Sequence, residues 1–553
     1  MQWNKGFLLF VLGLILFMTA CGDTEDKQEK ESSSSNKDEK VVKISAPGEI
    51  PGIDPVMADN DFSFNVINQI NEGLYRLDKE GKPQLAIAAK EPEVSKDKKV
   101  YTFKLREDAL WSDGSPVTAH DFEYAWKKVV DPKTGAAYGP QLEEIVLNAT
   151  EILKGDKPVE DLGIEALDDH TLKVTLENGV PFFKELLTTA TFFPQPQEYI
   201  EEQGDKYATD SDHALYNGPF VLDDWTGTGM SWVYKKNEKY WDKEAVNVDR
   251  IEVNVVKDAE TAVNLYQNEQ LDRVNLTSDN VEHFQGEDEF HTFLTGSTSY
   301  IKMNQGKDGE TTDLANLHIR KAMNMAINKE VIVEELLGNG SVVAHGNVPK
   351  GLAEDPVTGE DFREQNGDLV EYNVEKAKEH WKKGLEELGK EKLEFTLTSS
   401  DSDFAKSLSE NLKYQLENTL SGLTINLRPL TPKASIAANV GQDYEMIITG
   451  WSGDYQDPLT YLNLFITNSP GNHTGYSDET YDKLVLGSKS ELATKPKERW
   501  DALLKAEQLL IEESAVLIPL YQNGTAYLQN DKVKDFITYQ VSADNYKWMD
   551  IKE

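Results

Sequence analysis

The chain has 553 residues, 39% of them hydrophobic, which exceeds the size of a single core and lies far from the composition of a disordered polypeptide. Its 97 acidic residues against 57 basic ones give a net charge of −40, which argues against nucleic acid, whose phosphates such a surface repels. One cysteine in the whole chain excludes disulfides and thiolate metal sites.

The chain opens on Lys5, an uncharged run from Phe7 to Phe17, and then Met18-Thr19-Ala20-Cys21. A cationic start, a short apolar stretch and small residues describe a cleavable secretory signal over 1–20, too short to span a bilayer. Cys21 after the cut resembles the lipobox of bacterial lipoproteins, with Met18 where that pattern usually has Leu. The resemblance implies a lipid-bearing Cys21 and a body tied to the outer face of a cell membrane, in a Gram-positive bacterium; an ordinary signal peptide with an incidental cysteine is the alternative. No other apolar run approaches 18 residues. From Gly22 to Lys40 no apolar side chain occurs, so 21–40 is expected to be a flexible tether.

The body begins with a strand at VVKIS (41–45). Tyr101, Phe103 and Leu105 alternate with polar residues, the period of a half-buried strand. SDGS (112–115) makes a turn, and Thr118 with Asp121 forms a capping box that starts a helix running to about Val130. Phe122, Ala125, Trp126 and Val129 share one face of that helix. Residues 163–176 read as a hairpin, and Phe220–Leu222 with Ser231–Tyr234 as a second. RIEVNVV (250–256) is a strand leading to a helix capped by Asp258.

The later half reads as β-α-β: LEFTLTS (393–399), a helix from about Ser402 to Leu420, and LTINLRPL (423–430). Another helical stretch and the strand YEMIITGW (444–451) follow. Parallel strands joined by crossover helices predict an open α/β sheet, whose ligands bind at the carboxyl ends of strands. The segment Trp451-Ser452-Gly453-Asp454 is therefore a site candidate on position alone.

Several segments together are similar to the extracellular solute-binding proteins of family 5, the peptide-binding lipoproteins of bacterial ABC importers. They are Ile53-Asp54-Pro55, Asn71-Glu72-Gly73-Leu74, Pro83-Gln84-Leu85-Ala86, YTFKLREDALWSDGSPVTAHDFEYAW (101–126), NGPF (217–220), Tyr240-Trp241, LHIRKAMNMAIN (317–328), WSGDYQDP (451–458) and PLY (519–521). Their order covers nearly all of the chain beyond the leader. The resemblance implies an α/β fold of the periplasmic-binding-protein kind (type II, large cluster): a hinge-linked, two-lobed clamshell. Lobe I would be 41–298 with an inserted subdomain at about 76–208. Lobe II would be 299–521, and 522–553 would return to lobe I. Such proteins close on ligand by hinge bending.

The same resemblance places the ligand's α-ammonium on Asp454, with Trp451, Ser452 and Gly453 offering backbone; a turn-capping aspartate is the competing reading for Asp454. Asp457 reads as structural. Asp59, Asn60 and Asp61 would run along the opposite edge of the ligand, with a solvated loop as the competing reading. Tyr521 falls at the hinge and either lines the cleft or packs the core. Trp111, Phe122, Tyr124 and Trp126 are expected to pack the inserted subdomain, and Arg320 to pair with a carboxylate.

The expected partners are short peptides, an ABC permease and the membrane through the lipid, for a monomer that needs no cofactor or metal. Within the same fold the ligand could instead be a signalling peptide (a pheromone), an oligosaccharide or a nickel chelate. A secreted hydrolase is the rival from another class. It finds no support in H-E-x-x-H, a Walker loop or C-x-x-C, none of which occurs, and the 9 histidines make no spaced ligand set.

Overall fold

The computed structural model describes residues 39–307 and 309–552. The leader, Cys21 and the tether as far as residue 38 lie outside the described residues. Alternating burial makes Val41–Ala46 a strand whose Val42, Ile44 and Ala46 face the core. It runs parallel to Arg250–Val255, from Val41↔Arg250 to Ala46↔Val255. The hairpin of Phe220–Asp223 and Ser231–Lys236 extends this side of the sheet. Asp258 caps the next helix, Ala259–Gln267, by accepting from the Thr261 N–H.

On the other side, Leu393–Ser400 and Leu423–Leu430 pair in parallel along their full length. The helix between them, Asp403–Thr419, is capped by Ser402 and sets Leu408, Leu412 and Leu416 against Phe395, Leu397 and Ile425. Two long antiparallel strands, Phe290–Met303 and Leu517–Gln529, join the two sides into an 11-stranded mixed sheet.

The register of the long strands runs from Phe290↔Leu528 to Leu294↔Gly524, breaks, and resumes at Thr298↔Gln522. Gly296 lies in the break. Its N–H donates to the Gln540 carbonyl at 2.8 Å, and its own carbonyl accepts the Tyr461 hydroxyl. A Cβ there would stand 2.7 Å from Val541 Cγ2 and 2.8 Å from the Gln540 oxygen. Gly296→Ala is expected to cost about 1–3 kcal/mol through overpacking, seen as a lower urea midpoint; an unchanged midpoint would show that the break relaxes freely.

A separate four-stranded antiparallel sheet is ordered Glu93–Val94, Val100–Lys104, Thr171–Thr175, Ile164–Asp168. The helix Ala119–Val130 covers it, opened by the Thr118/Asp121 capping box. Phe122, Ala125, Trp126 and Val129 are all buried, as is Trp111, while Tyr124 is half-buried. The indole N–H of Trp126 donates to the Phe192 carbonyl at 3.0 Å. This core continues into Leu459, Tyr461, Phe465 and Leu503.

Arg320 corrects an expectation. It is buried and finds no carboxylate among the described residues. Instead it donates to the carbonyls of Leu314, Ala315, Ser514 and Ala515, so it closes loop ends by hydrogen bonds alone. Its burial lowers its pKa to about 10.

Candidate functional site

The strand Met446–Ser452 pairs with Phe290–Met303 along its whole length, from Met303↔Met446 to Ser297↔Ser452. With Leu393–Ser400, on its other side, it pairs only at Met446 and Ile447. Among the described residues, 448–452 therefore present one ladder edge with no strand beside it. Such an edge can take an extended chain by backbone hydrogen bonds.

Where the strand ends, the chain turns sharply. The Gly453 N–H donates to the Tyr461 hydroxyl at 3.0 Å, and a Cβ at Gly453 would stand 2.8 Å from that oxygen. The Asp454 N–H donates to Thr460 Oγ1 at 3.1 Å, and that hydroxyl lies 3.3 Å from Asp454 Oδ2. These two bonds fix the aspartate at the carboxyl end of the strand.

Ser452, Gly453 and Asp454 form one wall of a cavity of ≈ 290 Å³. Asp61, Phe64, Asn65 and Asn68 form another, from one face of the helix Asp61–Ile70. Tyr138, Gln141, 189–191 and 538–544 complete it. Among the described residues, no lysine, arginine or histidine lines this cavity. Its acids are Asp61, Asp454 and Asp544.

Asp454 is reachable by cavity water yet closely surrounded by protein. That enclosure, together with the charge of Asp61, raises its pKa to about 6, against the stabilising Thr460 hydroxyl. Burial also raises Tyr138, and Asp454, Asp61 and Asp59 raise it further. Its hydroxyl thus sits in the field of three carboxylates, while its ring meets Phe64 edge-on at 4.9 Å. Asp544 is raised by burial, offset by Arg273, Thr538 and Asn65. The cavity is a negative, partly desolvated recess with hydroxyl groups at its edge, suited to an ammonium that accepts no hydrogen bond and donates three.

Of the residues singled out from sequence, Asp454, Ser452, Gly453 and Asp61 come together here. The others lie elsewhere. Asn60 caps the helix Asp61–Ile70 by accepting from the Ser63 N–H, and Asp59 accepts from Asn60 at 2.8 Å. Trp451 packs against the largest core, its indole N–H buried without a partner. Tyr521 is 5% exposed in the core beneath Phe404. Asp457, just after the site, is held by Arg499 through two bonds of 2.7 and 2.8 Å.

Sequence reasoning missed Tyr138 and Gln141, which reach in from the segment around the four-stranded sheet, and the 538–544 loop. Gln141 carried no signal, although its Oε1 is buried without a partner. The helix wall did carry one: Asp61, Phe64, Asn65 and Asn68 follow helical spacing opposite the buried Ser63, Val66, Ile67 and Ile70.

Residues 82–473 match the family described as bacterial extracellular solute-binding proteins, family 5 Middle. A dipeptide-binding protein of Lactococcus lactis subsp. cremoris is 33% identical over 528 residues, 94% of this chain and 93% of that one. Among solved structures, Listeria monocytogenes OppA bound to peptide is 42% identical and covers 93% of this chain and 100% of its own, with a TM-score of 0.76. The substrate-binding domain of an oligopeptide ABC transporter from Bacillus anthracis is 39% identical, over 93% and 99%, with a TM-score of 0.77. The two-lobed α/β architecture, the acidic recess and these matches agree, and the chain belongs to the family 5 bacterial extracellular solute-binding proteins.

Proposed function

We propose that the protein is an extracellular receptor that captures short peptides by their free amino end and passes them to an ABC import permease. The observation that carries this reading is Asp454, a water-accessible carboxylate on the cavity wall at the end of an unpaired strand edge, with no lysine, arginine or histidine among the described residues lining that cavity. A peptide offers both complements: an ammonium for the carboxylate and free backbone groups for the edge. The Lactococcus relative is named for dipeptide binding, and the Listeria structure holds a peptide. The fold supplies no covalent chemistry in this reading.

Lobe I is assigned to 41–298, with its inserted subdomain at about 76–208, lobe II to 299–521, and the return to lobe I to 522–553. The register break between Leu294 and Thr298 supports a hinge in the long strands, which can bend where their ladder is already interrupted. Cys21 would carry the lipid that tethers the body to the cell surface. The test is calorimetric titration of the full protein with Ala-Ala-Ala-Ala and its N-acetyl form. Capture of the free peptide alone supports the reading; equal binding of both rejects it.

The raised pKa of Asp454 sets the pH profile. A bound ammonium favours the charged carboxylate, so the complex binds fewer protons than the free protein below about 6. Affinity is therefore expected to fall as pH drops through about 6, approaching tenfold per unit, and to be level from there until the peptide amine, near 8, loses its own proton. A flat profile between pH 4.5 and 6.5 would remove Asp454 from the recognition.

A further inference from the structure

A second cavity of ≈ 570 Å³ adjoins the first, and Asp61, Asn65, Thr538 and Asp544 line both. It lies at the carboxyl ends of the parallel strands Val41–Ala46 and Arg250–Val255, where open α/β sheets take their ligands. Its volume is that of a small-molecule pocket.

Its walls carry several aromatic rings. Phe62, Phe293, Tyr527 and Phe536 all line it, and all four are only half-buried by the protein itself. Phe62 and Phe536 lean on a neighbouring core. Tyr527 packs under Arg273 and against the His291 ring at 5.4 Å, whereas Phe293 belongs to none of the hydrophobic clusters of the described residues.

The two cations of the chamber and one of its two acids, Asp544, are already committed. The Arg273 guanidinium lies 3.8 Å from the centre of the Tyr527 ring and 4.0 Å from that of Phe536, donates to Gln529 and Thr538, and is balanced by Asp544. The Lys257 ammonium is 3.6 Å from Glu49. An incoming glutamate side chain would lose water and find no free partner, and a lysine would find only Asp61 on the wall shared with the first cavity, whereas an aromatic ring would meet the faces and edges of other rings.

We propose that this chamber makes the protein selective for peptides with a large aromatic side chain at the first or second residue. The proposal rests on the peptide reading above, in which Asp454 holds the amine in the adjoining cavity, so only residues next to the amine reach the shared wall.

The test titrates the full protein with Ala-Ala-Ala-Ala, Phe-Ala-Ala-Ala, Ala-Phe-Ala-Ala and Ala-Ala-Ala-Phe. Burying one phenylalanine ring should tighten binding about tenfold or more for one of the two amino-end peptides, and not for Ala-Ala-Ala-Phe. Phe293→Ala should reduce that advantage several-fold and leave the affinity for Ala-Ala-Ala-Ala unchanged, which also reports that the variant is folded. Phe293→Leu, which keeps apolar bulk, should retain most of it.

If Ala-Ala-Ala-Ala binds and phenylalanine adds nothing, or adds equally at every position, the chamber proposal is overturned and the capture of the amine stands. If no peptide binds, both fail. The position dependence is read in the unaltered protein, so a poorly folded variant cannot obscure it.

Discussion

Asp454→Asn is expected to weaken binding of a free-amine tetrapeptide by about 10²- to 10³-fold, the usual effect of removing one partner from a hydrogen-bonded charge pair at an interface. Asparagine keeps the shape of the side chain and can still meet the Thr460 hydroxyl. What it lacks is the charge that offsets the desolvation of an ammonium. The apo protein should not suffer. The carboxyl pKa is raised by folding, so its contribution to stability is complete below the unfolded value near 3.8 and is lost as pH rises through about 6. At pH 7 the wild-type carboxylate is held ionised against its surroundings, and the Asn variant should melt no lower. Asp61→Asn provides the contrast. Burial is the larger cause of the raised Asp454 pKa, and this change removes only the smaller one, repulsion by Asp61, so the pH midpoint for binding should move down slightly while affinity at pH 7 changes far less. Equal losses from the two variants would mean that the recess acts as a diffuse negative field rather than through one positioned acid.

Much of this architecture is written in short-range patterns. The capping box at Thr118 and Asp121, the apolar face from Phe122 to Val129 and the β-α-β unit at 393–430 each depend on neighbours within a few residues, and the structure has each at those positions. The segment Trp451–Asp454 was legible as a candidate because it ends a strand of an α/β sheet, while the role given to Asp454 came only from the resemblance. Tyr138 and the 538–544 loop were not. They meet Asp454 only because the chain leaves one part of the sheet and returns to it hundreds of residues later, and nothing in a Tyr-Gly-Pro or Ser-Ala-Asp sequence announces that arrival. Arg320 shows the converse error. An arginine in a helix suggests a carboxylate partner, but carbonyls left open at loop ends can satisfy its donors equally well.

Arg499→Met is expected to be the most destabilising single change near the site, costing about 3–5 kcal/mol. Asp457 and Arg499 are 8% and 5% exposed, and the guanidinium also donates to the Ser488 carbonyl at 3.1 Å. Burial draws the Arg499 pKa down, but Asp457 beside it more than restores it. Removing the arginine strands Asp457 next to Glu185, whose own carboxyl is raised to about 7 by burial and then by Asp457, and whose Oε2 is buried without a partner. Glu185 loses its stabilising contribution as pH rises through about 7, so the damage should deepen on the alkaline side. The loss should also reach the ligand. Tyr455, between Asp454 and Asp457 in sequence, stacks on Phe182 at 4.5 Å and 2°, and Asp457 accepts the Leu459 N–H that opens the next helix. The turn carrying Asp454 is thus pinned by the Tyr455 stack and by the helix start that Asp457 holds. Asp457→Leu combined with Arg499→Met replaces the pair with apolar groups and should recover most of the stability, because neither partner of the pair is left buried alone. It should not recover peptide affinity fully, since the Leu459 bond is gone. A single Arg499→Met variant that loses less than about 1 kcal/mol in urea unfolding would instead place the pair among solvated surface bridges, and the turn at Asp454 would then owe its position to the Tyr455 stack and the Thr460 bonds alone.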